Sequence, residues 1–263
     1  MAKTALVTGG SSGIGRATAI ALRDAGCTVY EISRHGESFG GITHLTADVS
    51  DEEQVRHAVD ELVSREGRLD ILVCNAGFGI SGAAEFTDNA DAKRLLDVNL
   101  FGVVNCCKAA AGHMRRQHGG RIVCLSSVAG PVSIPFQAWY SVSKAAVLSY
   151  SGSIRNELRR FGITVCAIMP GDIKTGFTAS REKIHVGDDV YCGAIERSVA
   201  VMEHDEETGM SPETAGRYIA GIALRRNVKP AYAVGMTYKF LCMVNKLMPA
   251  RFVSFLVSKL YVK

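Results

Sequence analysis

The chain has 263 residues, of which 47% are hydrophobic and 21% are charged, and its formal net charge is +4. This size and composition are typical of one α/β domain with a large core, and the six prolines come without a low-complexity tract that would mark a linker. The small net charge has no nucleic-acid-binding motif beside it, so a nucleic-acid partner is not expected.

The chain opens with an apolar run from Thr4 to Thr8, and Gly-Gly-Ser-Ser-Gly-Ile-Gly follows at 9–15. Apolar residues then recur at helical spacing, so the segment predicts a strand, a tight turn and a helix. Glycines let a ligand approach the backbone, and a helix N-terminus attracts phosphate through its free N–H groups. The G-x-x-x-G-x-G spacing differs from the usual dinucleotide fingerprint. On its own, the pattern also fits a structural turn.

Strand and helix patterns alternate along the rest of the chain. Short apolar runs predict buried parallel strands at 3–8, 28–33, 43–46, 69–74, 121–125, 163–169 and 231–234. Longer periodic stretches predict helices at 14–25, 51–65, 100–117, 138–160 and 211–226. Asp51 to Glu53 suits a first helical turn, with Ser50 as its N-cap. We therefore predict a single doubly wound, Rossmann-type α/β domain with a mostly parallel sheet flanked by helices.

The predicted helix 138–160 carries Tyr140 and Lys144, and Ser127 lies thirteen residues before the tyrosine. Side chains four residues apart on a helix share a face, with about 5–6 Å between Cβ atoms. An ammonium that close favours a phenolate and lowers the pKa of the tyrosine, which can then exchange a proton with a substrate hydroxyl near neutral pH. A lone Tyr-x-x-x-Lys pair, however, is more often an ordinary surface pair.

Together these segments resemble the short-chain dehydrogenase/reductase family, and among its members the hydroxysteroid and retinol dehydrogenases. The resemblance covers residues 3 to about 175 and follows the order of the family's motifs. The matching residues are Thr8-Gly9 to Gly15, Asn75-Ala76-Gly77, Asn99, Ser127, Tyr140 with Lys144, and Pro170-Gly171 with Ile173 and Thr175. The resemblance implies an enzyme that interconverts a secondary alcohol and a ketone by hydride exchange with a nicotinamide cofactor.

The resemblance implies four catalytic residues. Tyr140 would be the general acid in ketone reduction and the general base in alcohol oxidation, while Lys144 would lower its pKa and hold the nicotinamide ribose. Ser127 would donate a hydrogen bond to the substrate oxygen. Ser126 is the alternative, but the thirteen-residue spacing favours Ser127. Asn99 would hold a water that connects Lys144 to solvent.

The same resemblance implies the cofactor contacts, which come from the glycine turn, the catalytic pair and the segments that follow several predicted strands. Asp48 and Val49 would contact adenine, and Thr175 the nicotinamide carboxamide. The full set is Gly9, Ser11, Ser12, Gly13, Ile14, Gly15, Ser33, Arg34, Asp48, Val49, Asn75, Ala76, Gly77, Tyr140, Lys144, Pro170, Gly171, Ile173 and Thr175.

The choice between NADP(H) and NAD(H) depends on the end of the strand predicted at 28–33. NAD-binding folds place an acid there, which accepts hydrogen bonds from the ribose hydroxyls. Here Ser33 and Arg34 follow, and an arginine suits a 2′-phosphate, which it can bind with two hydrogen bonds. We therefore predict NADP(H). If the strand ends two residues earlier, Glu31 becomes the ribose acid and NAD(H) is preferred.

The stretch 172–210 is long for a connection in a compact domain, and such loops are usually lids or binding loops. We expect it to form one wall of the substrate pocket in a catalytic domain of residues 1–235, with further walls near Gly79-Ile80 and 128–136. The expected lining is largely apolar and predicts a hydrophobic substrate such as a steroid or bile acid. It comprises Ile134, Phe136, Trp139, Phe177, Tyr191, Met202 and Met210.

Residues 236–263 read as a basic, amphipathic helical extension. Its apolar residues follow helical spacing, from Phe240 to Met248 and again from Phe252 to Leu260. From Thr214 to the end of the sequence there are nine lysines and arginines and no acidic residue. Three roles are open for this extension: packing on the domain or a second subunit, lying on a membrane surface, or contacting the substrate.

The eight cysteines lack C-x-x-C spacing, and several lie in strand-like runs, so we expect reduced, buried thiols. The histidines lack the spacing of metal ligands, so no metal site is predicted. Residues 1–10 are too short and glycine-rich for a signal peptide, and no run reaches the roughly 18 apolar residues of a spanning helix. We expect a cytoplasmic protein, at most peripheral to a membrane.

The family resemblance also implies a homodimer or homotetramer that pairs the helices near 100–117 and 138–160. Two other functions stay open. One is a 3-oxoacyl thioester reductase, because the acidic carrier of such substrates could meet the basic extension. The other is a non-catalytic NADP-binding sensor or scaffold, against which the intact Ser127, Tyr140 and Lys144 argue.

Overall fold

The structure is a computed structural model that describes residues 2–262, and its frame is a parallel sheet. In chain order the strands are β1 Thr4–Thr8, β2 Thr28–Ser33, β3 Ile42–Thr46, β4 Ile71–Cys74, β5 Ile80–Ser81, β6 Gly120–Leu125, β7 Ile163–Met169, β8 Glu182–Lys183 and β9 Ala231–Ala233. Seven of them form one sheet in the order β3-β2-β1-β4-β6-β7-β9, and β5 pairs with β8 separately. The strand order reverses between β1 and β4, and such a switch point opens a cleft at the carboxyl ends of the strands.

Ten α-helices are seen within residues 2–262 and cover both faces of the sheet. They are α1 Gly13–Asp24, α2 Glu52–Glu66, α3 Asn89–Leu96, α4 Gly102–Arg116, α5 Ala138–Leu158, α6 Phe177–Ser180, α7 Ala194–Glu207, α8 Pro212–Leu224, α9 Met236–Leu247 and α10 Ala250–Tyr261. A π-helical turn, Asp97–Phe101, joins α3 to α4. All predicted strands and helices are present with bounds that agree within two residues, and the doubly wound α/β fold is confirmed.

The central strands are buried on both faces, which is why their sequences are apolar without alternation. On one face α2, α4 and α5 pack against the sheet, with Leu62 and Met114 fully buried. On the other face lie α1 and α8. These two helices touch closely because α8 has Gly216 at the contact, where a Cβ would lie 2.5 Å from the backbone carbon of Ala17.

The N-cap of α2 is Asp51, so the expected Ser50 cap is wrong. The Asp51 side chain accepts hydrogen bonds from the backbone N–H groups of Glu53 and Gln54 at 3.0 and 3.1 Å. The Ser50 hydroxyl instead donates to Asp48 at 2.7 Å. These hydrogen bonds, those from Gln54 first, lower the pKa of Asp51. The negative charge of the cap also suits the positive end of the helix dipole.

The stretch 172–210 is not an irregular loop, because it contains α6, β8 and the 14-residue helix α7. Sequence reasoning missed α7. Its buried residues Ile195, Val199 and Met202 do follow helical spacing. Ile195 and Val199 pack with Ala83 in a cluster separate from the core of the main sheet, and Met202 faces a cavity. The stretch is therefore a structured wall beside the sheet's carboxyl edge.

The C-terminal extension is helical as predicted, but it consists of two helices. Helix α9 ends at Leu247 and α10 begins at Ala250. Pro249 explains this break, because a proline disfavours the helical conformation of the residue before it. The last residue of the predicted extension, Lys263, lies outside the described residues, as does Met1.

One helical run, residues 89–116, is long and apolar enough by composition to cross a membrane, which differs from the sequence expectation. In the fold its apolar side chains belong to the core, where Val103, Cys107 and Met114 are at most 3% exposed. This is the packing of a core helix. Six cysteines are buried, as expected, and the thiols of Cys74, Cys107 and Cys124 lie within 4.8 Å of one another in the same core.

Candidate active site

The glycine-rich segment forms the turn between β1 and α1, beside the point where the strand order reverses. Gly9 has a φ of +65° and Gly13 a φ of +52°, a region that favours glycine. A Cβ on Gly15 would lie 2.1 Å from the carbonyl oxygen of Gly9, so no larger residue fits there. The N-cap of α1, Ser12, makes no side-chain capping bond, which leaves the first N–H groups of the helix available to an anion. The turn therefore fits a diphosphate.

Tyr140 and Lys144 lie one turn apart on α5, as their spacing predicts. The Lys144 Nζ is 5.6 Å from the centroid of the Tyr140 ring and donates a hydrogen bond to the carbonyl of Leu125 at 3.1 Å. The ring of Phe177 lies 5.8 Å from the Tyr140 ring, measured between centroids. Both α5 side chains face a cavity of about 460 Å³, which also reaches the glycine turn.

Most of the predicted site residues meet in this one cavity. Three of the four predicted catalytic residues line it, and so do eleven residues of the predicted cofactor set in addition to the catalytic pair. The catalytic residues are Ser127, Tyr140 and Lys144, and the cofactor residues are Gly9, Ser12, Gly13, Ile14, Asn75, Ala76, Gly77, Pro170, Gly171, Ile173 and Thr175. The cavity thus joins an anion-binding turn to a group of proton donors.

The two serines after β6 have different partners. The Ser126 hydroxyl donates to the main-chain carbonyl of Lys144 at 2.7 Å and is held against the helix. The Ser127 oxygen accepts from the N–H of Ala129 at 3.1 Å, and its hydroxyl lies beside the Tyr140 oxygen. Because the Ser126 hydroxyl is bound to α5 while the Ser127 hydroxyl lies beside Tyr140 in the cavity, Ser127 is the serine placed to donate to a substrate oxygen.

The two serines can be separated by mutation. Ser127→Ala is expected to lower kcat by about 10²–10³-fold, because it removes a donor from the position where negative charge develops. Ser126→Ala should mainly lower the free energy of unfolding, by about 1 kcal/mol, through the lost bond to the helix. Steady-state kinetics and urea unfolding of both variants test this. A larger loss of kcat in Ser126→Ala would reverse the assignment.

Comparison with known proteins identifies the family. A family model described as short chain dehydrogenase matches residues 3–185. The chain belongs to the short-chain dehydrogenase/reductase family. It is an oxidoreductase that acts on alcohol or keto groups.

Two relatives and two solved structures show how far the similarity extends. A 3-ketodihydrosphingosine reductase of Bacteroides thetaiotaomicron is 40% identical over 225 residues, which are 84% of either chain. A 3-oxoacyl-[acyl-carrier-protein] reductase of Staphylococcus aureus is 38% identical over 68% of this chain and 77% of its own. A short-chain dehydrogenase from Streptomyces avermitilis has a TM-score of 0.85 at 26% identity, over 98% of this chain and 95% of its own. ElxO with bound NADP has a TM-score of 0.76 at 27% identity, over 91% of this chain and 100% of its own.

In this short-chain dehydrogenase, Asn99 lies outside the cavity in the π-helical turn between α3 and α4. Its side-chain oxygen accepts from the N–H of Phe78 at 2.9 Å, and its nitrogen donates to the Phe78 carbonyl at 2.9 Å and to Ser143 at 3.1 Å. These bonds occupy the side-chain amide. The water that Asn99 is expected to hold beside Lys144 stays a prediction.

The end of β2 bears on the alternative between Arg34 and Glu31. The strand runs to Ser33, so Ser33 and Arg34 stand at its carboxyl end. Glu31 lies within the strand, fully buried against Gly10 and paired with His44. Arg34 is exposed and makes no hydrogen bond or ion pair with any other residue in the range 2–262. The strand therefore ends where the sequence predicted, and the contact of Arg34 with the cofactor stays a prediction.

The remaining predicted cofactor residues surround the same end of the cleft without lining the cavity. Asp48 and Val49 follow β3; the Asp48 carboxylate accepts from Ser50, and Val49 is buried against α4. Ser11 lies in the glycine turn, and Gly15 is buried in the first turn of α1.

The electrostatics of the catalytic pair differ from the sequence expectation. Burial raises the pKa of Tyr140 to about 12, although the neighbouring Ser127 hydroxyl acts in the opposite direction. Burial also lowers the pKa of the Lys144 ammonium to about 8. Loss of solvent therefore outweighs the attraction between the two side chains in the protein alone. A nicotinamide cofactor, if held here, would supply or accept the hydride and, when oxidised, would add a positive charge that favours the phenolate of Tyr140.

The cavity wall contains residues that sequence reasoning missed. Arg181 and Glu206 form a buried ion pair there, and no motif pointed to them. Tyr261 of α10 also lines the cavity, and its signal was available, since it continues the spacing of the buried Val253 and Val257.

The predicted apolar lining is partly wrong. Ile134, Phe177 and Met202 do line the cavity. Phe136 and Tyr191 instead pack against each other, with ring centroids 5.5 Å apart, in a separate cluster beneath α7. Trp139 and Met210 do not line the cavity either.

Proposed function

We propose that the protein is an NADP(H)-dependent oxidoreductase that interconverts a secondary alcohol and a ketone on a hydrophobic substrate. The observation that supports this most is the presence of Ser127, Tyr140 and Lys144 in the same cavity as an uncapped, glycine-lined helix N-terminus. Neither the three side chains nor the helix N-terminus alone would indicate a reductase. Together they would bring proton donors and a bound dinucleotide into one cleft.

The proposed reduction uses three side chains. The substrate carbonyl oxygen lies between the hydroxyls of Ser127 and Tyr140, and Ser127 stabilises the charge that develops on it. As a hydride reaches the carbonyl carbon, Tyr140 gives its phenolic proton to the oxygen, which yields the alcohol. Lys144 holds the ribose of the cofactor and favours the resulting phenolate. Oxidation is the same sequence reversed, with Tyr140 as the base.

The substrate proposed first is a lipid ketone, in which the keto group lies near one end of a long apolar chain. The relative from Bacteroides thetaiotaomicron acts, by its name, on such a compound, and Ile134, Phe177 and Met202 give the cavity apolar walls. Steroids and bile acids, which the sequence also suggested, are the other hydrophobic class. We propose the segment 172–210 as the substrate wall of a catalytic domain 1–235, with 236–263 as its extension.

The assay follows the absorbance of reduced nicotinamide with purified full-length protein. 3-Ketodihydrosphingosine, a steroid ketone and a 3-oxoacyl thioester are compared at equal concentrations. The proposal expects the highest kcat/KM for the long-chain ketone. Turnover of none of these compounds, with cofactor bound, would contradict a hydrophobic ketone substrate and favour the sensor or scaffold alternative.

The second candidate is a 3-oxoacyl thioester reductase. It is favoured by the 38% identity with the Staphylococcus aureus reductase and by the basic surface of the extension, which suits an acidic carrier. A kcat/KM for the carrier-bound thioester above that for 3-ketodihydrosphingosine would select this function instead.

Cofactor preference gives a separate prediction. Arg34→Ala should raise the KM for NADP(H) by about 10–100-fold, because it removes a charge-assisted pair of hydrogen bonds to the 2′-phosphate. The KM for NAD(H), which lacks that phosphate, should stay within about threefold of its wild-type value. Equal KM values for both cofactors in the wild-type protein would contradict the role of Arg34.

We also propose a homodimer or homotetramer in the cytoplasm. The region that the family resemblance points to carries exposed apolar side chains, Phe101 directly before α4 and Val142 on α5, and each is about half exposed. Analytical ultracentrifugation of the wild-type protein and of Val142→Glu would test whether this face carries the assembly.

A further inference from the structure

Helices α9 and α10 have two different faces. The inner face packs on the catalytic domain: Val253 and Val257 are buried against Val132, and Asn245 donates to the carbonyl of Pro131 at 2.9 Å. Tyr238 of α9 covers Gly171, so the extension also rests on the segment that follows β7. The extension is therefore held in place as part of the domain.

The outer face of the two helices is apolar and exposed. Ten of the fifteen large hydrophobic side chains that are exposed in residues 2–262 lie between Met236 and Val262. We define the outer face by eight of them, which follow helical spacing on α9 and α10. They are Met236, Phe240, Met243, Leu247, Phe252, Phe255, Leu256 and Leu260. Exposed apolar patches of this kind mark contacts with proteins or membranes.

Helices α9 and α10 carry four exposed basic side chains and no acidic one. Lys239 and Lys246 belong to α9, Arg251 and Lys259 to α10, and all four are exposed. The last acidic residue of the chain is Glu213, at the start of α8. Acidic residues come close only from other elements, such as Asp205 and Glu206 of α7, which lie on the cavity side near Tyr261. On α9 and α10 themselves, an apolar face with cations and no acids is the pattern of helices that lie in the interface of an anionic bilayer.

We propose that the outer face of α9 and α10 docks the enzyme on the surface of a bilayer that contains anionic lipid. A second copy of the chain is a poorer partner for the same surface. A two-fold contact would set this surface against itself, so that its basic side chains would meet other cations and no acidic side chain of α9 or α10, and like charges across an interface oppose association. Lipid phosphates instead complement these side chains while the apolar residues enter the acyl boundary.

The docking surface adjoins the cavity. Tyr261 lines the cavity from α10, whereas the preceding Leu260 is nearly two-thirds exposed on the outer face. Only the width of helix α10 therefore separates the cavity wall from the proposed membrane contact. If the substrate is the lipid ketone proposed above, it can pass from the bilayer along α10 into the cavity. This route rests on the proposed function, whereas docking itself does not.

Flotation of the full-length protein with vesicles tests docking without any substrate. One set of vesicles contains only zwitterionic phosphatidylcholine, and the other also contains phosphatidylserine. We expect about tenfold more protein to float with the anionic vesicles, and we expect added salt to reduce that binding. Phe240→Ser combined with Phe255→Ser should abolish flotation. Val190→Ser, which removes an exposed apolar side chain elsewhere, is the control and should float like the wild type.

Charge variants complete the test. Lys246→Gln with Arg251→Gln should lower binding to the anionic vesicles at least several-fold, whereas Lys3→Gln with Lys93→Gln should not. The proposal is overturned if the wild type stays unbound with both vesicles, or if the double serine variant floats normally. It is also overturned if ultracentrifugation shows a dimer that this variant converts to monomer.

An activity readout separates the two proposals. Anionic vesicles should raise kcat/KM for a lipid ketone presented in the bilayer and leave that for a short, water-soluble ketone unchanged. Flotation without turnover of any ketone would contradict the proposed function alone.

Discussion

Tyr140→Phe is expected to lower kcat for ketone reduction by about 10²–10⁴-fold while the dissociation constant for NADP(H) changes by less than about threefold. The substitution removes only the phenolic hydroxyl, which is the proposed proton donor. The ring stays in place because it packs near Phe177 and belongs to the helix that also carries Lys144. Binding of the diphosphate depends on the glycine turn, which the change does not touch.

Tyr150→Phe is the matched control for this prediction. Tyr150 lies on the same helix, and its substitution by phenylalanine also removes one phenolic hydroxyl. Its ring packs against the hydrophobic core instead of lining the cavity. Its variant should keep kcat near the wild-type value. Single-turnover kinetics and fluorescence titration with NADPH measure chemistry and binding separately. If Tyr140→Phe keeps more than about a tenth of wild-type kcat, the proton must come from another group.

The sequence predicted those features of the site that depend on neighbours in the chain. The strand, turn and helix around Gly9 to Gly15 follow from glycine conformation and helical periodicity, and Tyr140 and Lys144 meet because helix geometry requires it. The approach of Ser127 to Tyr140 is a longer-range feature, and only the family resemblance pointed to it. Those parts of the cavity were therefore recognisable before any coordinates.

The missed features depend on tertiary packing. Arg181 and Glu206 pair across the segment 172–210, and no local pattern predicts which charged residues will be buried together. Phe136 and Tyr191 were expected in the pocket on hydrophobicity alone, but their rings pack edge to face against each other. The raised pKa of Tyr140 also depends on tertiary packing. Helix spacing sets the distance from Tyr140 to Lys144, but the surrounding fold determines how far the tyrosine is removed from solvent.

Lys144→Met is expected to make the cofactor-free protein more stable at pH 7 while it removes activity. Lys144 is 5% exposed, and burial lowers the pKa of its ammonium from 10.5 to about 8. Keeping that charge inside the folded protein at pH 7 costs about 3 kcal/mol. Methionine carries no charge and fills a similar volume, but it loses the bond to the Leu125 carbonyl, worth about 1 kcal/mol. The net gain in the free energy of unfolding should be about 1–3 kcal/mol.

The pH dependence of this gain distinguishes a buried charge from better packing. Below pH 8 the lysine is protonated in both the folded and the unfolded chain, so the full cost is present in the wild type. Between pH 8 and 10.5 the unfolded chain binds the proton that the folded chain has released, and wild-type stability rises with pH. The difference between the two proteins should therefore shrink across that window.

Urea unfolding of both proteins at pH 7 and pH 9.5 measures this difference, and Lys93→Met, at an exposed site on α3, serves as the control. A gain that is equal at the two pH values would mean that packing, not charge, is responsible. With NADP⁺ added, the wild type should become more stable than Lys144→Met. A ligand stabilises the folded state more when it binds more tightly, and Lys144 is proposed to hold the ribose. Lys144 would then lower the stability of the cofactor-free protein and raise it only when the cofactor is bound. That behaviour is expected of a catalytic residue and not of a structural one.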